Sequence, residues 1–363
     1  MRRIVVAVAG ALSIISATPA GATPTFNLTF VNGTSLQAQA AFVEAANYWR
    51  TYLTDSVTIN LTVGTGTLGS GILASTGAAF GTYSYSNVRT ALAADSTSSL
   101  DATAVANLPT GSSLSLYINR TSEVSGSATP YVDSTGANND TIWMTSANAK
   151  ALGLDTTGVI NPSACGSTCD GYIVFSNAFT YDYDRSNNIA GNAYDFVGMA
   201  THEIGHALGF VSGVDILDIN APPANPSGPF AADQFTFVSP LDLYRCSGAS
   251  VSAGADIDWT ADNRVKDFSV DGCATPLGIF ANGVNFGDGQ QASHWKDNLN
   301  LGIMDPTVAP GELMTISSRD LQALDVIGWD VNVPEPATLG LFATAVLGLV
   351  RLRRKGPPVP PSA

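Results

Sequence analysis

Apolar and polar residues alternate in several short stretches of the chain, and this period of two predicts β-strands. In Leu36–Leu53 the apolar residues instead recur every three or four positions, as in an amphipathic helix. The chain therefore opens with a strand, a helix and a strand. Residues 64–140 are rich in Ser, Thr, Gly and Ala and show little pattern. The predicted strands cover residues 26–31, 57–63, 114–118, 141–144 and 171–176.

A second helix is predicted near the middle of the chain, where apolar residues within 196–208 share one packing face. Asn192 and Asp195 have the spacing of a capping box, so we place its start near Asn192. Gly209 suits the left-handed turn that ends a helix.

The segment after this helix is rich in loops, because four prolines between residues 222 and 229 interrupt any regular structure. One late helix is predicted, with Ser317 as its cap and Asp320 three positions later, and it ends before Gly328. Together these patterns predict an α+β fold for residues 23–332.

The middle helix carries His-Glu-Ile-Gly-His at residues 202–206. Histidines four positions apart lie on one helix face, so His202 and His206 can reach the same metal ion. Glu203 lies beside them, where it can act on a water bound to the metal rather than on the metal itself. The pattern is that of a zinc hydrolase helix. The alternative is a buried helix whose histidines are hydrogen-bonded core residues.

A catalytic zinc site needs a third protein ligand, and two common positions for it are excluded. The compact pattern would place a histidine three residues after Gly209, but Ser212 occupies that position. A nearby glutamate would complete a thermolysin-like site, but no glutamate lies between Glu203 and Glu312.

Two kinds of third ligand remain. Asp215 and Asp218 follow the helix closely and are the aspartate candidates. We favour His294, the one other histidine of the chain, which lies 88 positions after His206. This choice requires a long insertion that leaves the site and returns to it.

The helix motif, the distant His294-Trp295-Lys296 and the subsequent Met304 resemble leishmanolysin-type metzincins. In that family an insertion precedes the third zinc histidine, and a methionine turn follows it. Gly302–Pro306 fits this turn, and Met314 is a weaker alternative. The resemblance covers the helix and about residues 290–330.

The resemblance implies a metzincin-like fold of two lobes. The upper lobe, to about residue 210, would hold a mixed sheet and the active-site helix, and the loop-rich lower lobe would cover residues 211–332. The run Ile173–Ser176 would be the edge strand that binds an extended substrate peptide.

The expected activity is that of a zinc endopeptidase acting on a protein or peptide substrate. His202, His206 and His294 would bind one Zn²⁺, and Glu203 would be the general base for a zinc-activated water. The alternative is a catalytically inactive surface or exopolysaccharide-matrix binding protein with the same fold.

The N-terminus is typical of a secretory signal peptide over residues 1–22. Arg2 and Arg3 precede the apolar run Ile4–Ile15, and Ala20–Ala22 forms a small-residue cleavage site. We expect a signal peptidase to remove this segment. The alternatives are an N-terminal anchor and a buried first helix.

The C-terminus, residues 333–363, contains Pro-Glu-Pro at 334–336, the apolar run Ala337–Val350 and the basic cluster Arg351–Lys355. This order resembles the PEP-CTERM sorting signal of Gram-negative bacteria. A helix over the apolar run would span only about 21 Å, and the basic cluster favours the cytoplasmic side. We expect transient inner-membrane anchoring and then cleavage by an exosortase-type enzyme, which would leave the protein on the cell surface, in the exopolysaccharide matrix or secreted. The alternative is a permanent anchor.

Charge narrows the set of partners. Residues 23–332 hold 10 Lys+Arg and 29 Asp+Glu, a net charge of −19 against −14 for the whole chain. Such a surface repels nucleic acids and anionic membranes, so we expect no nucleic-acid partner. Asp182, Asp184 and Asp195 lie near asparagines, where we favour a solvated acidic loop, with a site for Ca²⁺ as a second ion as the alternative.

The four cysteines are an even number in a chain expected to be exported, which indicates two disulfides. Three pairings are open. We favour Cys165–Cys169 and Cys246–Cys273, because each closes a loop between turn-rich segments. A zinc site made of four cysteines is the alternative, but the paired C-x-x-C spacing is lacking.

Overall fold

The computed structural model of the chain describes residues 23–165 and 169–332. The expected signal peptide and sorting tail lie outside the described residues. Within the described ranges, no helix is long and apolar enough to cross a membrane. The fold is mixed α+β with several small sheets.

The elements are numbered here in chain order. The helices are α1 (Leu36–Arg50), α2 (Tyr85–Asp95), α3 (Ser99–Asn107), α4 (Ala137–Asp140), α5 (Ser146–Ala151), α6 (Phe196–Leu208), α7 (Val214–Asn220), α8 (Gly248–Ala253) and α9 (Ser318–Val326). The strands are β1 (Thr25–Phe30), β2 (Thr58–Gly66), β3 (Ala74–Ala78), β4 (Phe80–Ser84), β5 (Leu116–Ile118), β6 (Tyr131–Asp133), β7 (Thr141–Thr145), β8 (Gly171–Ser176), β9 (Tyr181–Asp182), β10 (Tyr194–Asp195), β11 (Arg245–Cys246), β12 (Ile257–Asp258), β13 (Lys266–Phe268) and β14 (Gly278–Phe280).

The largest sheet has the strand order β1-β2-β8-β3. Strands β1, β2 and β8 are parallel, and β3 runs antiparallel to β8. Helices α1 and α6 pack together and against this sheet through the rings of Phe42, Phe175 and Phe196, whose centroids are 4.2–5.3 Å apart. This buried layer anchors the helix that carries the His-Glu-x-x-His motif.

The predicted opening of strand, helix and strand is confirmed as β1, α1 and β2. The run at 171–176 is a strand, β8, but its predicted place at the sheet edge is wrong. β8 lies between β2 and β3, and the edge strands are β1 and β3. The reason is that β3 comes from residues 64–140, where alternation is too weak to reveal a strand.

Helix α6 begins later than predicted. Asp195 is its cap and accepts a hydrogen bond from the N–H of Gly198 at 2.9 Å. The chain stays extended up to Asp195 because β10 pairs with β9, so Asn192 lies outside the helix. The late helix is confirmed as α9, with the capping box of Ser317 and Asp320.

The second half of the described chain adds two three-stranded sheets, β11-β13-β14 and β12-β5-β6. In the latter, strands from both sides of residue 210 share one sheet, because β12 pairs in parallel with β5. Both favoured disulfides are confirmed, Cys165–Cys169 and Cys246–Cys273, and the second closes a separation of 27 residues.

Candidate metal centre

The structure brings together the three histidines of the chain. His202 and His206 lie on α6. His294 reaches them from residues 285–294, which we call the returning segment. Their Nε2 atoms form a nearly equilateral triangle with sides of 3.1, 3.2 and 3.3 Å. His202 and His294 are buried, with 8% and 7% of their surface exposed. We call these residues the histidine triad.

Each imidazole of the histidine triad has a backbone carbonyl oxygen at its Nδ1 atom. The acceptors are Ile303 O, Phe210 O and Gln291 O, at 2.7, 2.7 and 3.2 Å from the Nδ1 atoms of His202, His206 and His294 respectively. A carbonyl oxygen can only accept, so the ring proton is assigned to Nδ1 in all three rings. All three Nε2 atoms then present lone pairs to one another, and no proton lies between them.

Three converging lone pairs in a buried site fit a cation. Three corners of a tetrahedron with metal–nitrogen distances near 2.0–2.1 Å are about 3.3 Å apart, which matches the triangle. Burial lowers the pKa of His202 to about 4 and, together with the nearby His202, lowers that of His206 to about 3. Burial also holds the pKa of His294 well below its usual value. The rings are therefore neutral at pH 7, as metal ligands must be.

Glu203 occupies the adjacent position of α6 and is held from the edge strand. The hydroxyl of Thr76 on β3 lies 2.6 Å from Glu203 Oε2 and 3.0 Å from the Glu203 carbonyl oxygen. Burial raises the pKa of Glu203 to about 7, and the hydrogen bond from Thr76 opposes this rise. A carboxyl group with such a pKa can both accept and donate a proton near neutral pH.

Met304 lies beneath the histidine triad. Its side chain is fully buried, and its Sδ lies 2.5 Å from where a Cβ on Gly205 would be. The neighbouring Ile303 supplies the carbonyl that accepts from His202. Met314 lies instead near Gly198, at the start of α6. Of the two methionines, Met304 is therefore the one that lies against the helix between His202 and His206.

Asp320 links this turn to α9 and to the segment of the third histidine. Its carboxylate accepts from the N–H groups of Ile303 at 2.8 Å and Ser317 at 2.7 Å, and from the indole Nε1 of Trp295 at 2.8 Å. It is fully buried. Asp320 thus ties the chain on either side of Met304 to the residue that follows His294.

Asp215 and Asp218, the alternative third ligands, do not join the histidine triad. Both carboxylates accept hydrogen bonds from the returning segment, Asp215 from residues 292–293 and Asp218 from residues 285–286. Both carboxylates hold backbone groups and lie outside the group of converging ligand atoms.

Asp182, Asp184 and Asp195, considered as ligands of Ca²⁺, do not form a common site in the described residues. Asp182 and Asp184 accept backbone N–H groups of their own loop, and Asp195 caps α6 and pairs with Arg185 at 3.0 Å. Across residues 23–165 and 169–332, the histidine triad is the one group of three or more metal-ligating side chains whose ligand atoms converge.

Sequence reasoning missed two residues of this centre. Thr76 lies in a stretch rich in Ser, Thr, Gly and Ala, where no pattern distinguishes it. Asp320 was recognised only as a helix cap, because its contacts with Trp295 and Ile303 depend on how distant segments pack.

Comparison with known proteins identifies the end of the chain. Residues 332–355 match the PEP-CTERM protein-sorting motif. The motif indicates an exported protein of a Gram-negative bacterium, with a membrane-associated tail recognised by an exosortase-type enzyme. No curated protein and no solved structure is significantly similar to the chain.

Proposed function

We propose that this protein is an exported zinc-dependent endopeptidase. The observation that carries the proposal is the histidine triad, whose three Nε2 lone pairs converge beside a buried carboxyl group on the same helix. Three neutral imidazoles with one open position are the usual ligand set of a catalytic zinc ion. Backbone carbonyls orient each ring, as in other zinc sites.

A zinc ion held by His202, His206 and His294 would be a Lewis acid that could activate water and polarise a peptide carbonyl. Glu203 takes the proton of the attacking water and later delivers it to the leaving amine, so one carboxyl group serves both steps. The Thr76 hydroxyl holds the Glu203 side chain in place during this exchange.

The position of the edge strand β3 favours a peptide as the substrate. It runs beside α6, and an extended peptide can pair with its free edge while the scissile bond reaches the histidine triad. The helix motif, the distant third histidine and the buried Met304 together favour a metzincin-like active site of the leishmanolysin type. The sorting motif favours action at the cell surface, in the exopolysaccharide matrix or in the medium.

The test combines zinc analysis with a casein or gelatin assay on the purified protein. We expect one zinc per chain, and proteolysis that a zinc chelator abolishes and added zinc restores. Glu203→Gln should keep the zinc and lose activity by about 10²–10⁴-fold, because it removes the proton acceptor. Glu312→Gln is the matched control and should remain active, because Glu312 is exposed and its carboxylate accepts from the N–H of Ala309 in its own loop.

Two outcomes would contradict the proposal. Undiminished proteolysis by Glu203→Gln would remove Glu203 from its role, and stoichiometric zinc in His294→Ala would mean that another residue is the third ligand. Zinc binding without any proteolysis would favour the alternative, an inactive surface or matrix binding protein.

A further inference from the structure

The partly buried Asp215 on α7 contacts the segment that carries the third histidine. Its carboxylate accepts from the N–H of Ala292 at 2.6 Å, the N–H of Ser293 at 3.1 Å and the hydroxyl of Ser293 at 2.5 Å. Hydrogen bonds to a carboxylate are stronger than those between neutral groups. Asp215 therefore fixes both peptide groups immediately before His294.

The opposite side of the same segment is held by Arg245, which is buried. Its guanidinium donates to the carbonyl oxygens of Ala292 at 3.4 Å and Ala281 at 2.6 Å. The N–H of Ala281 in turn donates to the carbonyl of His294 at 3.0 Å. The anionic Asp215 and the cationic Arg245 thus hold the backbone next to His294, Asp215 through N–H groups and Arg245 through carbonyl oxygens.

Ser293 joins this stretch to the end of the helix motif. Its Oγ donates to Asp215 and accepts from the N–H of Ser212 at 2.9 Å. Ser212 is itself fixed by Asp242, whose carboxylate accepts from the Ser212 hydroxyl at 2.5 Å. The residue that stands where the compact pattern would have a third histidine therefore helps to anchor the distant one.

We propose that Asp215 is the positioning residue for the third metal ligand, and this inference rests on the proposed zinc site. His294 is separated from His206 by 88 positions, and an unanchored loop of that length would lose conformational entropy each time the ion bound. Because Asp215 fixes the segment, this conformational entropy is lost when the protein folds and not when the metal binds. The imidazole of His294 then stands ready before the metal arrives, which raises affinity.

Asp218 provides a matched control on the same helix. It also accepts two backbone N–H groups and one side-chain donor: Asn285 N at 2.8 Å, Phe286 N at 2.9 Å and Asn285 Nδ2 at 3.1 Å. It holds the returning segment at residues 285–286, away from His294. A loss of general stability should lower the zinc affinity of both aspartate variants. A loss of ligand positioning should lower the zinc affinity of the Asp215 variant alone.

The experiment measures zinc affinity by competition with a coloured chelator, for the full chain carrying Asp215→Asn or Asp218→Asn. Asp215→Asn should bind zinc about 10–100-fold more weakly, as expected when a group that orients a ligand is changed. Asp218→Asn should keep the wild-type affinity. Unfolding of the proteins after a chelator has removed the metal gives the general stability of each variant. The visible spectrum of the cobalt-substituted proteins reports the coordination of the metal.

The inference is overturned if Asp215→Asn binds zinc as tightly as Asp218→Asn, or if both lose affinity equally. If Asp215→Asn does not fold, Ser293→Ala decides: weaker zinc binding by it supports the inference, and unchanged binding overturns it. Failure of the wild-type protein to bind zinc would be a different result, because it removes the proposed site itself.

Discussion

Gly205 shows how one position of the motif serves the site without binding metal. It lies between the two histidines of α6, and Met304 Sδ approaches to 2.5 Å from where its Cβ would be, with Trp49 Cζ2 at 3.3 Å. Only a residue without a side chain lets both neighbours pack under the helix. The His-Glu-x-x-His motif allows any residue at this position, so the requirement for glycine comes from packing.

Gly205→Ala should therefore destabilise the fold, although alanine normally favours a helix. Overpacking against Met304 and Trp49 should lower the free energy of unfolding by about 1–3 kcal/mol, as measured by denaturant titration. Gly248→Ala in α8 is the control, because nothing lies within 4 Å of its added Cβ. Equal or higher stability of Gly205→Ala would show that the packing adjusts freely.

Among the described residues, no strand pairs with the outer side of the edge strand β3. Odd-numbered residues pair with β8, as shown by the bond from Ser176 N to Leu73 O and the bond from Ala79 N to Asp170 O. In an antiparallel ladder the N–H and C=O groups of the intervening residues point the other way. The backbone groups of Ala74, Thr76 and Ala78 therefore face outward.

Ala78→Pro should leave the sheet intact and impair substrate binding. Proline removes an N–H that β8 does not use, and such positions tolerate it at a sheet edge. We expect a higher KM for long peptides, with an unchanged Tm. Gly77→Pro removes an N–H within the ladder and should instead lower the Tm. An unchanged KM in folded Ala78→Pro would mean that substrates do not pair with β3.

A cluster of aspartates joins the two ends of the described chain. It consists of Asp55, Asp95, Asp101, Asp325 and Asp330. Burial, followed by the negative charges of Asp330 and other neighbours, raises the pKa of Asp55 and Asp95 to about 7. Burial and the neighbouring Asp101 do the same for Asp325. Folding therefore favours the protonated forms of the Asp55, Asp95 and Asp325 carboxyl groups, relative to the unfolded chain.

This cluster should consequently contribute more to the stability of the fold at pH 5 than at pH 8. A carboxyl group whose pKa is raised by folding contributes stability that is fully present below its unfolded pKa, near 4, and is lost as the pH rises through about 7. Asp55→Asn keeps an oxygen for the N–H of Asp330 and should remove part of this dependence, on the order of 1–3 kcal/mol between the two pH values.

The measurement compares unfolding of the wild type, Asp55→Asn and the exposed control Asp140→Asn at pH 5 and pH 8. Any contribution from zinc is shared by all three proteins and cancels in the differences. If Asp55→Asn and the wild type lose equal stability between pH 5 and pH 8, the cluster does not cause the effect.

The sequence alone determined what depends on neighbours along the chain. The period of apolar residues predicted α1, β1, β2 and α9, and the spacing of His202 and His206 put both on one helix face. The small number of histidines left His294 as the favoured third ligand. The sorting motif is likewise a local pattern, because an enzyme reads it along the chain.

Only the tertiary structure decided what depends on distant neighbours. It brought the three Nε2 atoms within 3.3 Å, put β3 rather than β8 at the sheet edge, and gave Thr76, Asp215 and Asp320 their partners. Hydrogen bonds across long separations leave no period in the sequence, since one residue at each end suffices. A buried carboxylate that holds a backbone segment therefore looks, in sequence, like any other aspartate.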